Sequence, residues 1–200
     1  RGLGDVYKRQ TVKTGEGVVE LIWNKIEYAD GYHVFASPVG KNHFVGVINV
    51  KGTTAVMKKR ANGVPMQYKV KAFRIADGPD NFFGESEIVI ACPLETPRKL
   101  TAIVGSDGIC TLSWIYNSQC DGFKIYADSN ESGKYSFVCY SGKNSCRLDS
   151  FTKSGKVSFV VRSFIMTGHM EKLSVSSAPA EAVLPKSKGA KACLLYTSPS

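Results

Sequence analysis

Apolar and polar residues alternate along most of this chain in short runs. Two such runs are VVELIW at 18–23 and YKVKAF at 68–73, and clusters of Gly, Asn, Asp and Ser separate the runs. Alternation with a period of two is typical of strands that bury one face, and no stretch of a dozen residues carries an apolar stripe at helical spacing. The pattern predicts an all-β protein built of short antiparallel strands.

A fixed repeat sets the organisation of the chain. Trp23 and Trp114 lie 91 residues apart, and many other positions match at the same offset. Two copies of one domain follow from this period. A copy of roughly 90 residues with about seven short strands fits a sandwich of two antiparallel sheets. The matching pairs include Gly17 with Gly108, Leu21 with Leu112, Tyr68 with Phe159, and Phe73 with Phe164.

Composition places the chain among globular proteins. Of its 200 residues, 43% are hydrophobic and 22% are charged, which is enough apolar material for one or two packed cores. No run approaches the roughly 18 apolar residues that a membrane-spanning helix needs. We therefore expect no membrane span.

Both ends of the chain are set apart from the repeat. Residues 1–10 (RGLGDVYKRQ) resemble a translation of a transposase adapter used in short-read sequencing, and residues 193–200 (CLLYTSPS) resemble a translation of its reverse complement. We expect both segments to be artefacts and exclude them from the fold, as one excludes fusion scars. The remainder is then expected to be an internal fragment of a longer reading frame, of the kind assembled from metagenomic reads.

The positive charge changes little after this exclusion. The formal net charge is +9, and removing the three basic residues and the one acidic residue of 1–10 leaves +7. The basic residues are scattered, with the densest run at Lys58-Lys59-Arg60, which is typical of a solvated loop. No recognition helix, zinc-ligand pattern or ribonucleoprotein motif accompanies the charge, so no nucleic-acid partner is expected.

Three motifs recur in register in the two copies. A strand ends in Trp (VVELIW, ICTLSW), a Gly-aromatic-x-aliphatic-aromatic run follows (GYHVF, GFKIY), and a third run is YKVKAF or FVVRSF. Together they resemble tandem fibronectin type III domains, which implies two immunoglobulin-like β-sandwiches of about seven strands each. The implied organisation is a first domain at 11–92 with a truncated first strand, a stiff proline-containing linker at 93–97, a second domain at 98–185 and a basic linker at 186–192.

The resemblance also implies which residues form the two cores. Trp23 and Trp114 would pack against aromatic residues of the next strands, Tyr32 and Phe123, and against Tyr68 and Phe159. One departure concerns a corner tyrosine that the family often has on its sixth strand. That position holds Met66 in the first copy and Val157 in the second, so its hydrogen bond is expected to be missing.

Aromatic residues also recur on the predicted outward face of one sheet. If the first copy buries Tyr32, Val34, Tyr68 and Val70, then Phe35 and Phe73 point outward, and Tyr126 and Phe164 repeat this in the second copy. Two interpretations remain open. The rings form cross-strand pairs that stiffen the sheet, with help from the cations Lys69, Lys71 or Arg162, or they form a platform for a sugar ring or a partner.

Phe82 and Phe83 form a second candidate site. They fall in the predicted long loop IADGPDNFFGES between the last two strands of the first copy. Loops at the end of a sandwich commonly display binding residues. The alternative is that the two rings fold back and cover the end of the sandwich or the hinge between the domains.

Motifs for catalysis, metals or cofactors are not found, so no cofactor is expected. The cysteines between the adapter-like segments are odd in number and include no C-x-x-C pair. Cys110 is predicted to face the core, and Cys139 and Cys146 can pair only if their Cα atoms lie within about 7 Å. His33 is expected on the surface, without a serine, cysteine or carboxylate placed to act with it.

Two functions from different classes follow from the resemblance. The first is a non-catalytic spacer, adhesion or ligand-binding module from a bacterial secreted or cell-surface protein, whose partners include the neighbouring domains. The second is a pair of accessory, weakly carbohydrate-binding domains of a polysaccharide- or cell-wall-degrading enzyme whose catalytic domain lies elsewhere. Binding of a protein through strand edges or loops is left open.

Overall fold

A computed structural model describes residues 10–77, 81–149 and 154–185. The adapter-like segments, apart from Gln10, and the basic linker 186–192 lie outside these residues. The chain divides into two compact units, one of residues up to Glu95 together with Met166–Ser174, and the other of the remaining residues from Thr96 onward. Within the described chain, no helix has the length and apolar character needed to cross a membrane.

The first unit is a sandwich of two antiparallel sheets. One sheet has the strand order β1-β2-β5, and the other has the order β4-β3-β6, with β7 and β8 both pairing with β6. The eight strands are β1 (Thr11–Gly15), β2 (Val18–Ile22), β3 (Gly31–Pro38), β4 (Val45–Val50), β5 (Thr54–Met57), β6 (Met66–Phe73), β7 (Phe82–Glu85) and β8 (Val89–Ala91).

Residues 98–184 repeat this arrangement, and we call them the second unit here, although Met166–Ser174 group with the first unit in the division above. Its sheets have the orders β13-β10-β9 and β12-β11-β14, with β15 and β16 both pairing with β14. The all-β prediction and the two-sandwich prediction are confirmed. The strands are β9 (Arg98–Val104), β10 (Cys110–Ile115), β11 (Gly122–Asp128), β12 (Ser136–Ser141), β13 (Ser145–Leu148), β14 (Gly155–Thr167), β15 (Met170–Leu173) and β16 (Ala180–Leu184).

Each unit has its own apolar core, as the alternation predicts. In the first unit Trp23 is buried and meets the Tyr32 ring edge-on, with 5.4 Å between centroids. In the second unit Trp114 meets Phe123 at 5.1 Å in the same edge-on geometry. The predicted core positions of both tryptophans are confirmed, and such large buried aromatics dominate the stability of a small sandwich. The central strands supply the rest, including Val34, Tyr68 and Val70 in the first core and Ile125, Phe159 and Val161 in the second.

A buried serine interrupts the last strand of each unit at the same place. Between β7 and β8, the Ser86 hydroxyl accepts from the Val70 amide at 2.9 Å, while the Ser86 amide donates to the Val70 carbonyl at 2.8 Å. Ser177 makes the same two bonds to Val161, at 3.0 and 2.9 Å. The hydroxyl stands in for a strand carbonyl, so the strand can break without leaving a buried amide unpaired. For this reason the described residues of each sandwich form eight strands, where about seven were predicted.

A bulge lies at the same place in both units and decides which side chains face outward. Val34 pairs with Ile48 and Phe35 pairs with Gly46, so Val47 is passed over. In the second unit Ile125 pairs with Cys139 and Tyr126 with Phe137, so the ladder passes over Val138. One extra residue shifts the alternation, and positions three apart on β4 and on β12 therefore share a face.

Candidate ligand-binding surfaces

An aromatic cluster covers the outer face of β3 in the first unit. The His33 and Phe35 rings lie 4.4 Å apart between centroids, and Phe82 meets Phe35 edge-on at 5.6 Å. The Lys71 ammonium lies 5.5 Å from the Phe35 centroid and 5.4 Å from the Phe82 centroid. His33 lies on the outer face, as predicted, but it is only half exposed. The rings of this cluster thus largely contact each other.

Glu85 organises the two lysines beside this cluster. Its carboxylate accepts from Lys69 Nζ at 2.8 Å and pairs with Lys71 Nζ at 3.1 Å. Partial burial acts to raise the pKa of Glu85, but the hydrogen bonds and positive charges of the two lysines outweigh it and hold the pKa below its usual value. Lys69 also lies 4.4 Å from the Phe44 centroid. Lys71 is therefore engaged with two rings of its own sheet, and Lys69 with a ring of the segment that precedes β4.

Phe73 and Phe164 each cover a glycine on the neighbouring strand. Phe73 is the direct partner of Gly31, and a Cβ added to Gly31 would lie 2.6 Å from Phe73 Cζ. Phe164 is the partner of Gly122 in the same way, with 3.0 Å between the added Cβ and Phe164 Cε1. An aromatic ring laid over a strand glycine replaces the packing that the glycine lacks. Both rings therefore have a structural role.

Four aromatic rings form a continuous row on the outer face of the second unit, and we call them the aromatic row. Tyr126 and Phe137 lie 5.9 Å apart between centroids, Phe137 and Tyr140 4.8 Å, and Tyr140 and Phe164 5.8 Å. The Lys124 ammonium lies 5.8 Å from the Phe137 centroid and 5.1 Å from that of Tyr140. Phe137 and Tyr140 are each 48% exposed. The row is thus the more accessible of the two aromatic surfaces.

Sequence reasoning found the two ends of the aromatic row and missed its middle. Tyr126 and Phe164 were predicted to face outward, and both do. Phe137 and Tyr140 were not singled out because residues three apart cannot share a face in a regular strand. The bulge at Val138 removes that objection. The sequence signal that could have revealed them is the pair of aromatic residues three positions apart on a predicted edge strand.

The loop position predicted for Phe82 and Phe83 is wrong. Both residues lie in β7, which pairs with β6, so the strand begins earlier than the Gly and Asn residues of the segment indicate. Phe82 joins the outer aromatic cluster. Phe83 packs against the first core, and the Arg74 guanidinium lies 5.1 Å from its ring centroid. Phe83 thus folds back onto the core, as the alternative interpretation has it, whereas Phe82 lies on the outer surface of the sheet.

A small concavity accompanies the outer surface of the first unit. A cavity of about 180 Å³ is lined by His33, Asn49, Phe73 and Ile75, which is smaller than the usual pocket for a drug-sized ligand. In the described ranges, no group of three or more His, Cys, Asp or Glu side chains is placed to hold a metal ion.

Comparison with solved structures identifies the fold. The chain is similar to a two-domain fibronectin type III segment of chicken tenascin, with a TM-score of 0.51 and 16% sequence identity over 88% of this chain and 97% of that one. It also matches the first three fibronectin domains of chicken CNTN1, with a TM-score of 0.39 and 17% identity, over 90% of this chain and 67% of that one. No family model and no curated protein matches. The chain is built of tandem domains with the fibronectin type III fold.

Proposed function

We propose that the chain is a non-catalytic pair of domains that acts as a spacer in a larger secreted or cell-surface protein and contacts a ligand through its second unit. The observation that carries the ligand-binding part is the aromatic row. Its central rings, Phe137 and Tyr140, are half exposed, whereas Phe35, Phe73 and Phe82 of the first unit are more deeply buried. Exposed aromatic surface with a cation beside it is typical of a binding face.

The engagement of the ionisable side chains supports a role without catalysis. Glu85 pairs with two lysines, and Lys156 pairs with Glu181 at 3.1 Å. The Asp128 carboxylate binds backbone amides of its own turn. A general base must lie within reach of a nucleophile or substrate proton, and these carboxylates instead serve the fold.

The extracellular setting rests on the family resemblance, since fibronectin type III domains occur in multidomain extracellular enzymes and adhesins. Long-read sequencing of the source locus across both adapter-like segments tests it. We expect an export signal together with an anchor or a catalytic domain in the parent frame. A short frame without an export signal would contradict the extracellular assignment.

Weak carbohydrate binding by accessory domains is the second candidate function, and the exposure of Phe137 and Tyr140 favours it. Exposed aromatic rings offer apolar faces on which sugar rings stack, and the Lys124 ammonium lies beside both of these rings. Such a surface is compatible with the side of an extended polysaccharide. The neighbouring parent domain would then be the enzyme that acts on that polysaccharide.

Affinity electrophoresis in gels containing plant, host or cell-wall glycans separates the two candidates. If the row binds sugar, at least one glycan retards the chain, and Phe137→Ala or Tyr140→Asn abolishes the retardation. Ile103→Ala is the control because Ile103 is 66% exposed on β9, in the other sheet of the unit. Retardation that survives both aromatic substitutions, or none with any glycan, contradicts carbohydrate binding through the row.

A further inference from the structure

Two thiols meet at one open edge of the second sandwich. The sulfur atoms of Cys139 and Cys146 lie 3.3 Å apart, a sulfur–sulfur hydrogen bond. Cys139 lies on β12 and Cys146 on β13, and these consecutive strands are edge strands of opposite sheets. The pair therefore spans the gap between the two sheets.

Strand pairing explains why both side chains point into this gap. Cys139 is the partner of Ile125, and Cys146 is the partner of Leu112. Ile125 and Leu112 are fully buried core residues, and directly opposed residues of an antiparallel pair point to the same face. Both thiols are nevertheless only half-buried, because their strands lie at the edge. A small molecule can reach them there.

The turn between the two strands is held in place. Ser141 Oγ donates to the carbonyl of Ser145 at 2.6 Å and accepts from the Lys143 amide at 3.1 Å. The Asn144 carbonyl accepts from the Trp114 amide at 3.1 Å, which ties the turn to β10. These bonds fix the relative positions of the two cysteine-bearing strands. The sulfur contact is thus part of the fold.

We propose that Cys139 and Cys146 form a redox site that reacts with small-molecule disulfides and closes a disulfide bond between the two sheets. The Cys146 sulfur attacks one sulfur of oxidised glutathione, which forms a mixed disulfide and releases one reduced glutathione. Cys139 then loses its proton to solvent and attacks the Cys146 sulfur, which releases the second. The two thiols lose two electrons and two protons, and one oxidised glutathione becomes two reduced ones.

The order of these two steps follows from the contact between the thiols. The two sulfur atoms share one hydrogen bond, and this contact lowers the pKa of Cys146 and raises that of Cys139. The thiolate is the attacking species in disulfide exchange. In the proposed order, Cys146 is the first nucleophile and Cys139 is the thiol that resolves the mixed disulfide.

The first unit shows that packing at these positions does not require thiols. At the offset of 91 residues, Cys139 matches Ile48 and Cys146 matches Ala55. Ile48 pairs with Val34 and Ala55 with Leu21, in the same register as the two cysteines. An apolar pair thus fills the same gap in the same fold. This supplies a thiol-free control, the double variant Cys139→Ile, Cys146→Ala.

Peptide mapping after oxidation tests the proposal on the full chain. The native chain is treated with oxidised glutathione, its remaining thiols are blocked by alkylation, and it is digested with trypsin. Cleavage after Lys134, Lys143 and Arg147 puts the two cysteines on separate peptides, 135–143 and 144–147. We expect these peptides to stay joined until a reductant is added. This pair should exceed any other cysteine pair by roughly tenfold or more, because thiols held in contact react at a high effective concentration.

Four further measurements define the outcomes. Cys139→Ser should stop at a mixed disulfide on Cys146, and the thiol-free control should lose the joined peptides altogether. Oxidation in denaturant should spread the pairs over all cysteines. The oxidised native chain should melt several degrees higher than the reduced chain, because the bond restricts the unfolded chain. Native oxidation that joins Cys139 and Cys146 no more often than other pairs, or that leaves both open to alkylation, would overturn the proposal.

Discussion

At the scale of the residue, single polar side chains hold positions where the strand ladder is interrupted. Ser86 and Ser177 each bond a central-strand amide of their unit while remaining almost fully buried. Removal of the hydroxyl leaves a buried amide without an acceptor, and the loss of such a bond costs more than a surface contact.

Ser177→Ala is expected to lower the free energy of unfolding by about 1–3 kcal/mol, the cost of leaving the Val161 amide unpaired. Urea unfolding measured by tryptophan fluorescence gives this value. Ser136→Ala, at an exposed position on β12, is the matched control and should change it by less than about 0.5 kcal/mol. Equal unfolding midpoints for the Ser177 variant and the control would mean that water or another group replaces the hydroxyl.

Asp128 holds the turn that follows β11. Its carboxylate accepts from the Asn130 amide at 3.0 Å and from the Gly133 amide at 2.7 Å, and the Ser132 hydroxyl adds a third bond. Hydrogen bonds from backbone amides favour the charged form, so the pKa of Asp128 lies below its usual value.

The stability that Asp128 contributes should therefore depend on pH. A carboxyl with a lowered pKa in the folded state stabilises the fold above the unfolded-state pKa of about 3.9, and this stabilisation is lost as the pH falls through the folded-state pKa. Asp128→Asn should unfold at lower urea concentration than wild type at pH 7, and the difference should shrink below about pH 4. A difference that stays constant between pH 7 and pH 2.5 would contradict this assignment.

At the scale of the element, β3 packs closely against β6, and β11 against β14, because an aromatic ring of one strand lies over a glycine of the other. Gly31→Ala is expected to lower the free energy of unfolding by about 1–3 kcal/mol, because the new Cβ would lie 2.6 Å from Phe73 Cζ and 3.1 Å from the Val50 carbonyl oxygen. Chemical denaturation measures the change. The control is Gly15→Ala, where an added Cβ meets nothing within 4 Å.

Coupling between the two positions distinguishes a clash from a loss of backbone freedom. If the ring causes the cost, Phe73→Leu should relieve part of it, and the double variant should be more stable than the sum of the two single changes predicts. Strict additivity would show instead that the ring is not involved.

The all-β class, the two repeated domains and much of the two cores could be predicted from the sequence, whereas most of the outer surface could not. A period of two and an offset of 91 residues identify Val34 and Ile125 as matching core positions, because burial acts on each position separately. The family resemblance adds the two tryptophans. Phe137 and Tyr140 became neighbours through a bulge, which depends on strand pairing. The contact between Cys139 and Cys146 likewise depends on the meeting of two sheets, and local sequence carries no signal for that distance.

At the scale of the whole molecule, the two units have separate cores. The buried residues form one cluster around Trp23 and Tyr32 and another around Trp114 and Phe123. Destabilisation of one core should therefore act mainly on the unit that contains it.

Trp23→Ala is expected to destabilise the first unit by about 3–5 kcal/mol, the usual cost of removing a buried tryptophan. Hydrogen exchange measured by NMR should show faster exchange at the amides of Val19 and Leu21, with protection at Leu112 and Val161 unchanged. Trp114→Ala should give the reverse pattern and is the matched control. Equal loss of protection in both units would contradict independent cores.

The bulge has a consequence for protein engineering. Because of the bulge, the outward-facing residues of β4 can be replaced while the residues that face the core stay the same. The first unit can therefore accept the aromatic row without a change to its interior. Phe35 and Phe73 already occupy the two end positions, and Gly46, Asn49 and His33 stand where the second unit has Phe137, Tyr140 and Lys124. His33 must be replaced along with Gly46, because a Cβ at Gly46 would meet the His33 ring. A transplant of three residues, His33→Lys, Gly46→Phe and Asn49→Tyr, would thus copy the surface onto the other domain.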